Sequence, residues 1–352
     1  MIVQDRMVKG GIAAVINSYY GSKIEDQYDV TYVESYKDGG KLTKLMKGIA
    51  GYFVFLKVLI TNRPDLVHIH SSFGPSFMRK LPFIYMAAMF NIPIINHIHG
   101  ADFDQFYVNA SDKKKKLIEN VYGKCDKLIA LSDEWRMRLS KIVSSDKIEV
   151  IENYSVVNNQ IIESRKNRNV NDTVLFLGEI GKRKGCYDIP DVVEIVSRSI
   201  PNVRFVIAGS GSEIDVKSIK DSLQQKKIFK NVEFPGWIRN EVKEKYLQEA
   251  DVFFLPSYNE GMPMSILDAM GCSLPIVSTN VGGIPKIVKN NINGFCCEAG
   301  DVKAFSDAII LLLSDSDLNK KMSAGSLEIV MQKYSFEYHM KRLIELYERT
   351  FR

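Results

Sequence analysis

Cysteine is scarce in this chain, and its pattern excludes two kinds of cross-linked domain. Only 5 of the 352 residues are cysteine. The number is odd, and no two cysteines have the Cys-x-x-Cys spacing that is typical of zinc sites. The sequence therefore predicts neither a disulfide framework nor a cysteine-bound zinc ion, and it indicates a protein that folds in a reducing compartment.

Long hydrophobic runs are also missing. The longest uncharged stretch, 81–101, is interrupted by Pro82, Asn91 and Pro93. It therefore predicts a short helix followed by a strand, and not a membrane span. The first residues do not have the pattern of a signal peptide. We therefore expect a protein without a transmembrane segment.

Neither sign of charge dominates. The chain has 47 Lys and Arg residues against 42 Asp and Glu residues, which gives a net charge of +5. This bias fits a small anionic ligand, but it is weaker than the bias usual in nucleic-acid-binding proteins. We therefore expect no nucleic-acid partner.

Two cofactor motifs are incomplete. The turn Gly209-Ser-Gly211 lacks the third glycine of a dinucleotide-binding motif, which argues against a nicotinamide-dependent oxidoreductase. The histidines His68, His70 and His97 lie in predicted strands without the His-Glu-x-x-His spacing of a zinc hydrolase. We assign these three histidines structural roles and expect no metal site.

The patterns that are present predict an α/β protein. Hydrophobic residues make up 45% of the chain, which is enough for buried cores at this length. Strand and helix patterns alternate in two successive runs, which predicts two Rossmann-like, doubly wound domains facing an interdomain cleft. We place these domains at 1–165 and 166–335. The polar stretch 158–172 is the predicted linker.

The segment 251–271 organises the rest of the chain. Its apolar residues 252–255 predict a buried strand, and a polar loop follows. Pro263 then marks the first turn of a helix, and Gly271 lies just past its end.

The start of this helix has the properties of an anion site. The backbone amides of Gly261, Met262 and Met264, around Pro263, are predicted to lie unpaired at the helix amino terminus. Unpaired amide donors and the helix dipole together favour a phosphate group at that end.

Two carboxylates bracket the helix start. Glu260 lies in the loop before it, and Asp268 lies about 8 Å further along the helix axis. Because carboxylates accept hydrogen bonds from vicinal hydroxyls, a nucleotide sugar would place its sugar on Glu260 and its ribose on Asp268. The alternative is an ordinary αβ unit in which both acids are solvated.

Two other loops also suit phosphate. The predicted strand 173–178 is followed by three consecutive cations, including Arg183 and Lys184, whose charges complement a diphosphate. Near the start of the chain, Gly10 and Gly11 open a helix, where glycine lets the backbone approach a phosphate. A solvated loop and a plain turn are the respective alternatives.

A basic, apolar helix is predicted from residue 42 to about residue 60. Its apolar residues follow helical spacing and its lysines lie off that stripe. The stripe consists of Leu45, Met46, Ile49, Phe53, Leu56 and Ile60. We interpret it as the core-facing side of the helix. The alternative, helped by the lysine run 113–116, is a surface that rests on anionic lipid.

Taken together, these motifs resemble retaining glycosyltransferase family 4, whose members have the GT-B fold. The segment 251–271 is similar to the Glu-x7-Glu signature of the family, with Glu260 as the first glutamate and Asp268 in place of the second. Lys184 matches the lysine of the family's Gly-Arg and Lys-Gly loop. Glu179 stands where that loop usually has its arginine.

The resemblance extends to the first domain. His99 matches the family's histidine that lies near the donor sugar, and Gly10-Gly11 matches a glycine loop at the interdomain cleft. The family has a full first strand before that loop, whereas this chain has about four residues there. We therefore expect that the amino terminus is shortened. The last helix, 336–352, is expected to pack back on the first domain.

The resemblance implies a reaction and a set of roles. The enzyme would move a sugar from a UDP-, GDP- or dTDP-sugar to a lipid-linked sugar acceptor, with retention at the anomeric carbon. Lys184, Arg183 and the helix amides would stabilise the departing diphosphate, Glu260 would orient the donor sugar, and Asp268 would bind the ribose. No metal, cofactor or dedicated protein base is expected.

The sequence around Glu260 resembles that of bacterial enzymes of capsule, O-antigen or exopolysaccharide synthesis. We therefore expect a cytoplasmic protein that is peripheral to the cytoplasmic face of the inner membrane. Two alternatives stay open. A GT-B nucleotide-sugar 2-epimerase would convert the donor without an acceptor, and a non-catalytic subunit would bind the donor without turnover.

Overall fold

The chain divides into two compact units. The first unit comprises Met1–Asn153 and Glu337–Arg352, and the second comprises Tyr154–Phe336. The computed structural model describes residues 1–100, 103–166, 168 and 170–351. The division after residue 153 lies twelve residues before the boundary that the sequence predicts, at residue 165.

The first unit is built on a six-stranded parallel sheet. Its strands are β1 (Ile2–Val3), β2 (Val33–Glu34), β3 (Val67–Ser71), β4 (Ile94–Ile98), β5 (Lys127–Ala130) and β6 (Ile148–Val150). Their spatial order is β2-β1-β3-β4-β5-β6, and each neighbouring pair is parallel. The strand order reverses between β1 and β3, and doubly wound sheets bind ligands at the carboxyl ends of strands at such a reversal.

Within the described residues, six α-helices connect these strands. They are α1 (Gly11–Asn17), α2 (Lys23–Gln27), α3 (Lys41–Thr61), α4 (Pro75–Met89), α5 (Asp112–Gly123) and α6 (Asp133–Leu139). Side chains of a strand alternate between the two faces of its sheet. One face, with Val67, Ile69 and Ile94, packs into a hydrophobic core with residues of α3 to α6.

The second unit is built on another six-stranded parallel sheet. Its strands are β7 (Thr173–Leu177), β8 (Arg204–Ala208), β9 (Val232–Gly236), β10 (Val252–Leu255), β11 (Ile276–Thr279) and β12 (Gly294–Cys297). Their spatial order is β12-β11-β10-β7-β8-β9. Here the reversal falls between the buried strands β7 and β10, so the loops that follow these two strands meet at the same edge of the sheet.

In the part of the second unit that the structure describes, eight α-helices surround the sheet. They are α7 (Asn159–Lys166), α8 (Ile189–Ser199), α9 (Glu213–Gln225), α10 (Asn240–Glu249), α11 (Met264–Gly271), α12 (Ile284–Ile287), α13 (Val302–Ser314) and α14 (Ser316–Ile329). Two parallel sheets with helices around them confirm the prediction of two Rossmann-like, doubly wound domains.

The last helix, α15 (Phe336–Thr350), returns to the first unit. It buries His339, Leu343 and Leu346 along one side. Arg352 lies outside the described residues.

The predicted linker 158–172 contains the helix α7, which corrects that prediction. The Arg165 guanidinium donates hydrogen bonds to backbone carbonyls at the end of α10, including that of Ala250. α7 therefore packs on the second unit as part of it. Asn167 and Asn169 of the predicted linker lie outside the described residues.

α3 packs with a different face from the one that its periodicity predicts, so the core-facing interpretation was wrong. Within that stripe, the Phe53 side chain is 69% exposed and the Leu45 side chain 59%. Gly48, Gly51 and Phe55 face the protein instead.

Glycine explains the change of face. A Cβ atom on Gly51 would lie 2.8 Å from the carbonyl oxygen of Glu34 and 3.4 Å from the ring of Phe83. The helix backbone thus approaches the sheet edge directly at this position. Because glycine adds nothing to a hydrophobic stripe, the periodicity of the large apolar residues selected the opposite face.

The uncharged stretch 81–101 forms the second half of α4 and the whole of β4, as predicted, with Ala101 outside the described residues. Among the helices that the structure describes, none has the length and hydropathy needed to cross a lipid bilayer.

Candidate active site

The site in the second unit lies where its strand order reverses. The loop after β7 carries Lys182, Arg183 and Lys184, and the loop after β10 carries Glu260. The backbone amide of Tyr258 donates a hydrogen bond to the Arg183 carbonyl, 2.9 Å away, and this bond ties the two loops together.

A buried ion pair joins the two loops. The Lys184 ammonium lies 2.5 Å from Glu260 Oε1, and the two side chains are 12% and 7% exposed. The Ser257 hydroxyl donates a second hydrogen bond to the same oxygen, at 2.7 Å. An ion pair held out of water is strong because solvent screens it little. The two residues predicted to act on the donor are therefore in direct contact.

Arg183 lies at the edge of this pair. Its guanidinium donates hydrogen bonds to the Glu179 carboxylate at 3.0 Å and to the Asn259 carbonyl at 3.2 Å. It also lies 3.9 Å from the second oxygen of Glu260. Glu179, which occupies the family's arginine position, thus anchors the neighbouring arginine.

Two glycines, Gly282 and Gly283, pack directly against the backbone of the Glu260 loop. A Cβ atom on Gly282 would lie 1.8 Å from the Glu260 carbonyl oxygen, and Gly282 has a φ of +55°. The amide of Gly283 donates a hydrogen bond to the Gly261 carbonyl at 2.8 Å. Any side chain at Gly282 would push this loop away and displace the Glu260 carboxylate.

The helix that follows begins one residue later than predicted. α11 starts at Met264, and Pro263 precedes it in an extended conformation as the amino-terminal cap residue. Gly271 is the last helical residue, not the first residue beyond the helix. Gly261 and Met262 are buried just before the helix, at the end where the helix dipole favours an anion.

Asp268 has a partner that the sequence did not indicate. The Lys243 ammonium, on α10, lies 3.0 Å from Asp268 Oδ2. The Asp268 carboxylate raises the pKa of Lys243 above its usual value. These residues are 25 positions apart, so no local pattern links them.

The remaining predicted site residues belong to the first unit. His99 follows β4, and its Nε2 lies 3.0 Å from Nδ1 of His70. Burial lowers the pKa of His99 to about 3, so its imidazole is neutral near pH 7. Gly10 is the exposed residue before α1 and has a φ of +130°, a backbone conformation that glycine adopts most readily; Gly11 begins the helix.

The structure thus brings several of the predicted residues of the second unit into contact. It brings Lys184, Arg183 and Glu260 into one network, and pairs Asp268 with Lys243. Ser257 and Lys243 are contacts that sequence reasoning did not assign. Ser257 lies in the Glu260 loop, three residues before the carboxylate that it contacts, so its position was a usable signal.

Comparison with protein families identifies both units. The model for "Glycosyl transferases group 1" matches residues 158–327, and the model for "Glycosyltransferase Family 4" matches residues 15–154. The chain belongs to glycosyltransferase family 4. The predicted resemblance is confirmed, and the protein is a glycosyltransferase enzyme.

Two bacterial relatives are similar over most of the chain. One is an Escherichia coli enzyme named UDP-Gal:alpha-D-GlcNAc-diphosphoundecaprenol alpha-1,3-galactosyltransferase, 26% identical over 86% of this chain and 80% of its own length. The other is a 41.2 kDa protein in the cps region of Klebsiella pneumoniae, 25% identical over 82% of each chain.

Solved structures agree on the fold. HepE of Anabaena, crystallised with UDP-glucose, superposes with a TM-score of 0.73 at 15% identity, and the match covers 99% of both chains. Together with the two doubly wound sheets, this similarity confirms the predicted GT-B fold.

Proposed function

We propose that this glycosyltransferase moves a sugar from a nucleotide-diphosphate sugar to a lipid-linked oligosaccharide, with retention at the anomeric carbon, in bacterial surface polysaccharide synthesis. A UDP-sugar is the preferred donor over GDP- and dTDP-sugars, because the name of the E. coli relative specifies UDP-galactose. That name also specifies a diphosphoundecaprenol acceptor, and the Klebsiella relative is from a cps region.

The Lys184–Glu260 pair carries this proposal. An ammonium and a carboxylate 2.5 Å apart lie at the edge of the sheet where the strand order reverses. A nucleotide sugar needs both signs of charge side by side, a cation for its diphosphate and a carboxylate for its sugar hydroxyls. The pair holds both groups in place before the donor binds, so little reorganisation accompanies the reaction.

In the proposed complex, Lys184 and Arg183 bind the diphosphate together with the amides around the start of α11. Negative charge builds on the diphosphate as the bond to the sugar breaks, and fixed cations stabilise that charge. Asp268 accepts hydrogen bonds from the ribose hydroxyls while Lys243 holds its carboxylate in position.

The predicted site residues of the first unit also have roles in this proposal. His99 contacts the donor sugar as a neutral imidazole, and the Gly10-Gly11 turn lets backbone amides approach a phosphate. The leaving phosphate accepts the proton of the attacking hydroxyl on the same face of the sugar, which gives retention. Transfer on this route uses no metal on the diphosphate, no cofactor and no dedicated protein base.

Donor binding tests this proposal. We would record saturation-transfer NMR of UDP-, GDP- and dTDP-sugars with the wild type, with Glu260→Gln, and with Glu163→Gln as a matched control. Glu163 is an exposed carboxylate on α7 whose ion pair is with Lys166 of the same helix. We expect selective binding of one donor, with contacts to the sugar protons lost only in Glu260→Gln. A folded wild type that binds no nucleotide sugar would overturn the site assignment.

Product analysis separates the reaction from its alternatives. The proposed enzyme forms an α-linked product from an α-linked donor only when a lipid-linked acceptor is present. An altered donor sugar formed without acceptor would instead identify an epimerase, and donor binding without any turnover would identify a binding subunit.

The proposal includes association with an anionic membrane surface, supported by α3. Its outer side exposes eight large apolar residues: Leu42, Leu45, Met46, Ile49, Phe53, Val54, Leu56 and Ile60. Lys41, Lys44 and Lys57 on the same helix are also exposed. An apolar face with a basic margin is typical of helices that lie in the interface of anionic bilayers, where a lipid-linked acceptor would be found.

Vesicle co-sedimentation tests the membrane surface. We would compare the wild type with a Leu45→Ser, Phe53→Ser, Ile60→Ser variant, using phosphatidylglycerol vesicles at low salt. Removing this apolar area should weaken vesicle binding by at least about tenfold. The control carries Ile214→Ser and Met331→Ser, which replace exposed apolar residues of the second unit, and should bind like the wild type. Equal binding by all three proteins would contradict the assignment of α3.

A further inference from the structure

Three histidines from neighbouring strands meet on one face of the first sheet. His68 and His70 are two residues apart on β3, so their side chains lie on the same face of the sheet. His97 lies beside His70 in the parallel register of β4. All three side chains are buried. One ring nitrogen from each can be chosen so that all three nitrogens lie within 4.8 Å of one another.

Several nitrogens in this cluster have no hydrogen-bond partner within the described part of the chain. They are Nε2 of His68, Nε2 of His70 and both ring nitrogens of His97. Each buried polar atom without a partner costs about 1–3 kcal/mol. Such atoms are rare in native proteins, so four of them in one cluster require an explanation.

The second nitrogens of two of these rings are anchored. Nδ1 of His68 lies 2.5 Å from the Tyr347 hydroxyl on α15, and Nδ1 of His70 lies 3.0 Å from Nε2 of His99. Histidines that bind metals have this arrangement, in which an outer partner fixes the ring and leaves the other nitrogen for the ion.

We propose that His68, His70 and His97 bind a transition-metal ion of the zinc class. Imidazole nitrogens suit such ions, and three histidines with one non-protein ligand form a known type of zinc site. Bonds of about 2.0–2.1 Å require donor nitrogens about 3.4 Å apart. The most widely separated pair must therefore close by about 1.4 Å when the ion binds, through rotation of the rings.

The imidazole ligands leave the charge of the ion uncompensated. A neutral imidazole binds a metal through the lone pair of one ring nitrogen and brings no negative charge. A hydroxide as the fourth ligand would lower the buried charge of a dication to a single unit.

A bound ion would also affect His99, which contacts the donor sugar in the proposed function. This consequence rests on that proposed function. When Nε2 of His70 binds a metal, the ring proton must lie on Nδ1. His70 then donates its hydrogen bond to His99 Nε2, so His99 keeps its own proton on Nδ1. The ion would thus fix the tautomer and orientation of His99 through His70, which acts as a positioning residue.

Metal content tests the proposal directly. The untagged 352-residue chain would be produced in zinc-supplemented medium and dialysed. Its metal content would be measured by inductively coupled plasma mass spectrometry. We expect about one zinc ion per chain in the wild type, and a loss of at least about tenfold in His97→Asn. The control is His339→Gln, since both ring nitrogens of His339 already have partners, Tyr19 and the Glu152 carbonyl.

Cobalt provides a second measurement on the same proteins. The chain refolded with Co²⁺ should show visible ligand-field absorption in the wild type and in His339→Gln, and not in His97→Asn. If His97→Asn does not fold, as judged by circular dichroism, His68→Gln replaces it. Neither measurement uses donor or acceptor, so the result is independent of the proposed transfer reaction.

Two outcomes would overturn the metal site. Equal zinc in the wild type and in the His97→Asn variant would place the ion elsewhere on the chain. A folded wild type that takes up neither zinc nor cobalt would show that the three rings only pack against one another.

Discussion

The two units place polar groups near their strand-order reversals in opposite ways. The first unit holds all 5 histidines of the chain, most of them deeply buried beside one another. The second unit has no histidine in its sequence and uses ion pairs instead, Lys184 with Glu260 and Lys243 with Asp268.

The two arrangements are destabilised by different changes. A cluster of neutral imidazoles is destabilised by acid, because protonation puts charge into a low-dielectric interior. A buried ion pair is destabilised by losing one partner, because the other charge is then buried alone.

The largest effect should come from breaking the Lys184–Glu260 pair. Lys184→Ala removes the cation nearest to the proposed diphosphate, so transfer should fall by about 10²–10³-fold. It also leaves the Glu260 carboxylate buried without its main partner, which should lower the free energy of unfolding by about 3 kcal/mol. Steady-state kinetics and urea unfolding measure the two effects.

The control for this prediction is Lys182→Ala. Lys182 has the same charge and lies in the same loop, but its side chain is exposed. It should keep transfer within about twofold of the wild type, because exposed charges contribute little. Wild-type transfer by Lys184→Ala would remove this lysine from the active site.

Acid should destabilise the first unit selectively. Burial lowers the pKa of His339 to about 4, whereas the unfolded value is about 6.5. Between these values the unfolded chain binds more protons, so the stability present above pH 6.5 is lost as the pH falls towards 4. His339 alone accounts for about 2 kcal/mol of this loss by pH 5.

The two tryptophans provide separate readouts for this test. Trp135 lies in the first unit and Trp237 in the second, so Trp237→Phe and Trp135→Phe each leave one reporter. We expect the urea midpoint reported by Trp135 to fall between pH 7 and pH 5 more than that reported by Trp237. His339→Gln should make the urea midpoint reported by Trp135 less dependent on pH. Equal pH dependence of the two midpoints would contradict the contrast between the two units.

A smaller effect is expected at Gly51. An alanine Cβ there would meet the Glu34 carbonyl at 2.8 Å, which should destabilise the first unit by about 1–3 kcal/mol. The matched control is Gly123→Ala at the end of α5, where a Cβ atom would have open space. Thermal unfolding should show a loss for Gly51→Ala only. A neutral Gly51→Ala would mean that α3 does not pack on its glycine face.

The smallest effect should come from Asp268→Glu, which restores the family's usual residue. The longer side chain should still reach both the proposed ribose position and Lys243. We expect KM for the donor to change by less than about tenfold, or about 1.4 kcal/mol, with kcat retained. Asp268→Ala should weaken donor binding more than Asp268→Glu does, and the reverse order would remove Asp268 from the ribose site.

Much of the site could be predicted because its signals are local. Residues 252–255 are uniformly apolar and bounded by polar loops, and Lys184 and Glu260 each follow such a strand. Parallel strands point their carboxyl ends to one edge, so residues just beyond neighbouring strands come together. Local patterns indicated the two charged loops, and the family resemblance singled out Lys184 and Glu260 within them. The topological rule explains why the structure brings these two residues together.

Contacts between distant segments had no comparable signal. Lys243 and Asp268 lie on separate helices, and Tyr19 contacts His339 across 320 residues of chain. The histidines were each assigned structural roles because each was considered within its own strand. Their assembly into one cluster depends on strand register and on the return of α15 to the first unit.

The sequence by itself determined the α/β alternation, the two-domain plan and the loops that carry the charged site residues, because strand and helix periodicity are encoded over a few neighbouring residues. Only the tertiary structure decided which face of α3 is buried, since Gly51 selects that face by close approach to a neighbouring strand end and not by hydrophobicity. It also decided which buried polar groups became partners, because that choice depends on distances between segments far apart in the chain.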